Sequence, residues 1–356
     1  MIRRPLLIVA VLVLVAGTAV NAGWYYARFI AGRAVDDWAE AQRGDGIDVT
    51  WAERTITGWP LRLDGLFRAP RATMAAPNRQ IAWRGPNAAV RFYLLAPDTI
   101  DFGAPGQHLF TVTEDGTTAN FTLDAGSLVA RTEKGLGGTF HTLSAGGTAL
   151  RLTGPEDAPL ASAKAVQMVW DQPVGNAAEQ TAGTPPISLT MLLRADSLKF
   201  APGVLPPTPA PVLGNEISVI RADAALNGVI DPHQPVPQAL AGWRDAGGII
   251  DVNRLEIVWG PLHMAGDGTL ALDAALQPEG AFSVRVSGLT DVLTAMENAS
   301  MIDARTAAIA RITLAVLARP PENGGPPEAR VPLTIQNGRV SVGPVALLKL
   351  PTIVWR

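Results

Sequence analysis

The longest apolar stretch of the chain lies near its start. Arg3 and Arg4 precede a run from Pro5 to Ala27, 23 residues without a charge. A helix of that length rises about 34 Å, enough for a bilayer core of about 30 Å. Trp24, Tyr25 and Tyr26 close the run and Arg28 follows, the order expected of an interfacial aromatic belt with a flanking cation. The positive-inside rule then puts Arg3 and Arg4 on the cytoplasmic side and the rest of the chain across the membrane. A cleaved signal peptide is the competing reading, with Leu6 to Val15 as its apolar core and Val20-Asn21-Ala22 as its cleavage site. The aromatics beyond that site favour retention. So do Trp24, Ala27, Ala31, Ala34, Trp38 and Ala41, which recur at spacings of three and four as one face of a continuing helix. The expectation is an anchor over residues 1–27 and a helical extension over 28–45.

From Ile47 onward the pattern shortens to a period of two. Ile187, Leu189, Met191 and Leu193 alternate with polar neighbours, Leu192 excepted. Leu255, Ile257 and Trp259 do the same, as do Phe282, Val284 and Val286, and Val331, Leu333 and Ile335. Such alternation describes antiparallel strands with one covered and one wet face. Gly266-Asp267-Gly268 and Asn337-Gly338 read as hairpin turns between them. Helix is the minority. Leu289, Val292, Leu293 and Met296 form a stripe with Thr290 as N-cap, Ile309, Ile312 and Val316 a second, and Gln238 to Arg244 a short third stopped at Gly247-Gly248. The predicted fold is mainly β, a β-rich α+β chain: long antiparallel meander sheets with a few covering helices, preceded by one transmembrane helix. Proline-rich stretches at 183–186 and 202–211 suggest two exported lobes, 46–185 and 186–356, the second with helices near 289–318.

Composition narrows the chemistry. Hydrophobic residues make up 47% of 356 and charged ones 17%, and the net charge is −3. Nucleic acid is therefore not an expected partner, because it demands a basic surface. With no cysteine and four histidines, disulfides, thiolate catalysis and cysteine metal sites are excluded. His108, His141, His233 and His263 show no i, i+4 pairing, and no G-x-S-x-G elbow or P-loop occurs. Gly135-x-Gly137-Gly138 lacks a following helix and reads as a turn. No catalytic residue, cofactor or metal is expected. Trp51, Trp59, Trp83, Trp170, Trp243, Trp259 and Trp355 are expected to be core anchors rather than interface residues.

The stretch Leu276-Gln277-Pro278-Glu279-Gly280, together with Gly58-Trp59-Pro60, Val331 to Gly338 and Gly343-Pro344-Val345, resembles an uncharacterised bacterial family, domain of unknown function 2125. A looser likeness is to AsmA-like envelope proteins. It implies a bacterial inner-membrane anchor with a cytoplasmic N-terminus and a periplasmic body engaged in envelope lipid homeostasis. The expected partners are the lipid bilayer and either a bound lipid or another envelope protein. Lipid or apolar-ligand binding is the first functional expectation, an assembly protein the second and an enzyme with a novel site a distant third.

Overall fold

The computed structural model describes residues 3–76, 78–134, 140–172, 186–204, 210–231, 233–298, 300, 302–319, 328–342 and 345–355. Of these, residues 3–10, 134, 140, 210–211, 306, 310, 313–319, 342 and 345–348 are described by backbone alone. Among the described residues the chain is mostly β, with 21 strands bonded into one antiparallel sheet. It divides into two compact units, Met1–Gly137 with Leu150–Pro159, and Gly138–Ala149 with Leu160–Arg356.

In the first unit a long helix, α1 (Arg3–Gly44), leads into β1 (Ile47–Thr50) and β2 (Glu53–Thr57). There follow β3 (Arg62–Arg68), β4 (Arg71–Ala76), β5 (Arg79–Arg84), β6 (Asn87–Tyr93), β7 (Ala96–Gly103), β8 (Gly106–Glu114), β9 (Thr117–Ala125) and β10 (Ser127–Lys134). The pairings run β2–β3–β6–β7–β10 on one side and β1–β4–β5–β8–β9 on the other. Each long strand of this meander is therefore broken near its middle. Three of the five breaks fall at Ala69-Pro70, Gly85-Pro86 and Ala104-Pro105, where proline has no N–H to give the ladder, and the other two at Trp51-Ala52 and Gly126. They line up across the sheet. Ala69 N bonds Pro86 O at 3.0 Å, Gly85 N bonds Pro70 O at 2.9 Å, and Ala104 N bonds Leu128 O at 2.8 Å. The left-handed backbone of Ala69 (φ 44°) adds the local kink of a bulge.

Alternation sorts the faces of this sheet. Leu63 and Phe67 are buried and pair with Phe92 and Ala88 on one side. The other face carries a ladder of charges. Asp64 meets Arg62 at 3.0 Å and Arg91 at 2.6 Å, and Asp101 accepts from Tyr93 Oη at 2.7 Å and from Arg131 Nε at 2.6 Å. The hydrogen bond from Arg131, helped by that from Tyr93, holds the Asp101 carboxyl below its usual range. His108, 1% exposed, closes the inner side of the crease. It accepts Trp83 Nε1–H on Nδ1 at 3.2 Å and donates from Nε2 to Ala104 O at 2.7 Å. Both nitrogens are satisfied, so this histidine is a structural residue.

The second unit takes up the N-terminal part of β11 (Phe140–Thr153) and continues through β12 (Pro159–Asp171), β13 (Ile187–Phe200), helix α2 (Ala210–Leu213) and β14 (Glu216–Asn227). Next come α3 (Val236–Asp245), β15 (Ile249–Trp259), β16 (Leu262–Leu272), β17 (Pro278–Ser287), α4 (Leu289–Asn298) and α5 (Ala304–Leu317). The chain closes with β18 (Ala318–Arg319), β19 (Glu328–Gln336), β20 (Arg339–Val342) and β21 (Val345–Lys349). Directly paired residues share a face, and the register aligns whole rows. Met168, Leu193, Ala222, Leu255, Gly266, Val284 and Val331 form one row across the strands. Trp170, Met191, Ala224, Val252, Gly268, Phe282 and Leu333 form the next. Helices α4 and α5 pack on each other and on β16 and β19. There Ala307, Val284, Val286 and Ala329 are buried.

Several expectations need correction here. Gly266-Asp267-Gly268 is no turn but the interior of β16. A Cβ on Gly268 would stand 2.4 Å from the Phe282 ring and from Ala281 O, so glycine marks a close approach between strands. Asn337-Gly338 is the β19–β20 turn, both residues with positive φ (53° and 66°). Helix α4 begins at Leu289, with Gly288 O accepting from Asp291 N and Val292 N, so Thr290 lies inside it rather than at the cap. Ile309 and Ile312 are exposed on α5, and among its described side chains Ala307 is the buried one. Helix α3 ends as expected before Gly247, which adopts φ 78°. Gly135-x-Gly137-Gly138 lies outside the described residues.

Candidate functional site

The feature that most sets this chain apart from an ordinary β-rich body is the junction of α1 with the first unit. From Trp24 onward α1 lies along β1 and β2. Trp24 is 7% exposed and donates from Nε1 to Arg62 O at 3.2 Å, at the turn between β2 and β3. One helical face then docks through Ala27, Ala31, Gly32, Val35 and Ala39. Trp38, 51% exposed, falls off that face together with Ala34 and Ala41. The expected stripe alternates steps of three and four residues, short of the roughly 3.6 residues per turn of a straight helix, and so drifts around it.

Arg54 of β2 locks the helix in place. Its Nη1 meets Asp36 Oδ1 at 2.6 Å and Gly32 O at 3.2 Å, and its Nη2 meets Asp36 Oδ2 at 3.1 Å. The guanidinium lies 5.6 Å from the Trp51 ring, which in turn meets Phe67 edge-on at 5.2 Å. Arg54's hydrogen bonds hold the Asp36 carboxyl below its ordinary range. Beside this pair opens a pocket of about 470 Å³ lined by Tyr25, Arg28, Phe29, Arg33, Asp36 and Arg54. Arg28 sits over Trp24 at 5.8 Å and Arg33 over Phe29 at 5.7 Å. Three arginines and one aspartate line the pocket, and Arg54 already matches the aspartate, a balance that suits an anionic group.

Among the sequence-selected residues, the structure brings Trp24 and Arg28 together at this junction, while Tyr25 and Tyr26 are exposed beside them. From Val11 to Gly23 the residues are exposed, Val11 to Val15 by 49–71%. The side chains of Arg3 and Arg4 lie outside the described residues. Among the described residues no helix is long and apolar enough to cross a membrane, and no three His, Cys, Asp or Glu are grouped to hold a metal ion.

Sequence reasoning missed the Arg54–Asp36 lock and assigned Trp59 to the core. Trp243 does lie in the core, 3% exposed and donating from Nε1 to Asn227 O at 2.8 Å, but Trp59 is exposed. The signal for Trp59 was its place in a turn, where small polar residues are the rule. A search of curated proteins finds no match. The family model for domain of unknown function 2125, described as an uncharacterised protein conserved in bacteria, matches residues 24–351, and the chain belongs to that family.

Proposed function

We propose that this chain is anchored in the bacterial inner membrane by residues 5–27, with its β-rich body in the periplasm. We further assign to the apolar sheet face of the second unit the binding of an acyl lipid, in keeping with a part in envelope lipid homeostasis. The observation that carries this reading is the aligned apolar rows. Met168, Trp170, Met191, Leu193, Leu255 and Ile257 share one face and are only half-buried. Burying such side chains is worth about 1.5–3 kcal/mol each, so a face left half-open favours an apolar occupant. The sequence likeness to AsmA-like envelope proteins points the same way.

The test feeds cells a photoactivatable fatty acid and maps its adducts on the full chain after irradiation. Adducts on peptides holding Met168, Met191 and Leu193 are expected. Adducts confined to residues before Arg28 would remove the lipid from the sheet face. A second reading, assembly with another envelope protein, draws support from β21. Among the described residues it pairs with β20 alone, which leaves a strand edge open to a partner. Protein–protein crosslinks at β21 without lipid adducts on the sheet would favour it.

A further inference from the structure

The two ends of the first unit's strands carry opposite turn chemistry. At one end Asp45-Gly46 joins α1 to β1 and Asp115-Gly116 joins β8 to β9, polar and glycine-containing as turns usually are. At the other end β2 and β3 are joined by Gly58-Trp59-Pro60-Leu61, and β6 and β7 by Leu94-Leu95. These two turns touch, Leu94 N bonding Leu61 O at 2.9 Å. Their side chains point outward: Trp59 is 56% exposed, Leu61 54%, Leu94 38% and Leu95 79%. Four large apolar groups at adjacent turn tips are thus left exposed.

Their position relative to α1 says what covers them. Trp24 Nε1 is hydrogen-bonded to Arg62 O, the residue after Leu61. The helix runs antiparallel to β1 and β2, with Asp36 at Arg54 and Trp24 at Arg62. Its apolar residues before Trp24 therefore leave the sheet at the apolar turns and not at the polar ones. Trp24, Tyr25 and Tyr26 lie at the level of the tips, with Arg28 and Arg33 just behind them on the helix. Indoles and leucines backed by guanidinium groups are the composition of a surface seated in the headgroup region of a bilayer.

We propose that Trp59, Leu61, Leu94 and Leu95 insert into the interface of the bilayer that α1 crosses, so that the first unit is docked on the membrane and not merely tethered to it. This rests on the reading of α1 as an anchor, and its continuity with that anchor commits the tips to lipid. The chain has no cysteine, so a single introduced thiol can be labelled uniquely. Leu95→Cys, Trp59→Cys and, at the polar end, Asp115→Cys are each labelled with an environment-sensitive fluorophore in the full chain. The labelled chains are then placed in phosphatidylethanolamine–phosphatidylglycerol nanodiscs.

At Leu95 and Trp59 the expected result is blue-shifted emission, quenched several-fold more by spin-labelled phospholipid than at Asp115. Water-like emission at both tips in discs that hold the chain would overturn the docking while sparing the anchor. A blue shift that lipid-borne quencher leaves untouched would mean that protein, such as a second copy, covers the tips, and would also overturn it. A chain that does not enter discs at all would remove the anchor and this contact together.

Discussion

The two halves of α1 obey the same helical geometry but meet different surroundings. From Trp24 to Gly44 a narrow face of alanines, glycine and valine is covered by β1 and β2, and the charged residues face outward together with Tyr25, Tyr26, Phe29, Ile30 and Trp38. From Val11 to Gly23 apolar residues go all round the helix and every one is exposed. A helix that is apolar on every side finds no stable place in water. The docked half shows that this sheet covers an amphipathic helix when the pattern provides one face. The exposed half provides no such face, and the proposed anchor rests on that difference.

The largest effect should come from the exposed half. Replacing Leu12 and Leu14 by arginine costs about 2.5–3.5 kcal/mol per charge at mid-bilayer. Membrane fractionation of this variant should show the chain lost from the membrane, while its β content by circular dichroism stays unchanged. A smaller effect is expected in the docked half. Trp24→Ala removes a buried indole, so the first unit should lose about 3 kcal/mol, read as a lower thermal midpoint with membrane retention unaffected. If the same substitution released the chain from the membrane, the two halves would not be separate in function.

The smallest expected effect concerns the lock. Arg54→Met removes the bonds to Asp36 and Gly32, an exposed pair worth about 1 kcal/mol or less. Because Arg54 lowers the Asp36 value in the folded chain, its contribution is fully present above the ordinary carboxylate range. It is lost as pH falls through the lower, folded value. Thermal midpoints of the parent and variant should therefore differ at about pH 6, above an unperturbed aspartate near 3.9, and converge once the pH has fallen below the lowered, folded value. A difference that persisted in acid would assign the loss to packing against Trp51 instead.

Much of the second unit could be read in the sequence because its strands are long, and the bulges in them leave several residues of alternation intact on either side. Leu189 to Leu193, Leu192 excepted, and Phe282 to Val286 alternate apolar and polar positions, and they lie within β13 and β17. The first unit was harder to read. At Ala69-Pro70 and Gly85-Pro86 the apolar positions change parity, so that Phe67 is followed by Ala72, and Trp83 by Ala88, on the apolar sides of their ribbons. A window spanning the crease shows no period at all. Gly266 and Gly268 misled because glycine serves both turns and close strand contacts, and only the Phe282 ring across the sheet decides between them. At the junction, Trp24 and Arg28 stood out from their place after an apolar run. Arg54 and Asp36 did not, because nothing local links residues 18 apart in sequence.

The measurement that reaches furthest is a topology assay on the full chain. Alkaline phosphatase, which folds only after export, is fused behind Arg356, and its activity is followed together with carbonate-resistant membrane association. The account predicts an active phosphatase that stays in the membrane fraction. An inactive phosphatase, or an active one released from the membrane with residues 1–22 removed, would contradict a retained anchor carrying a periplasmic body.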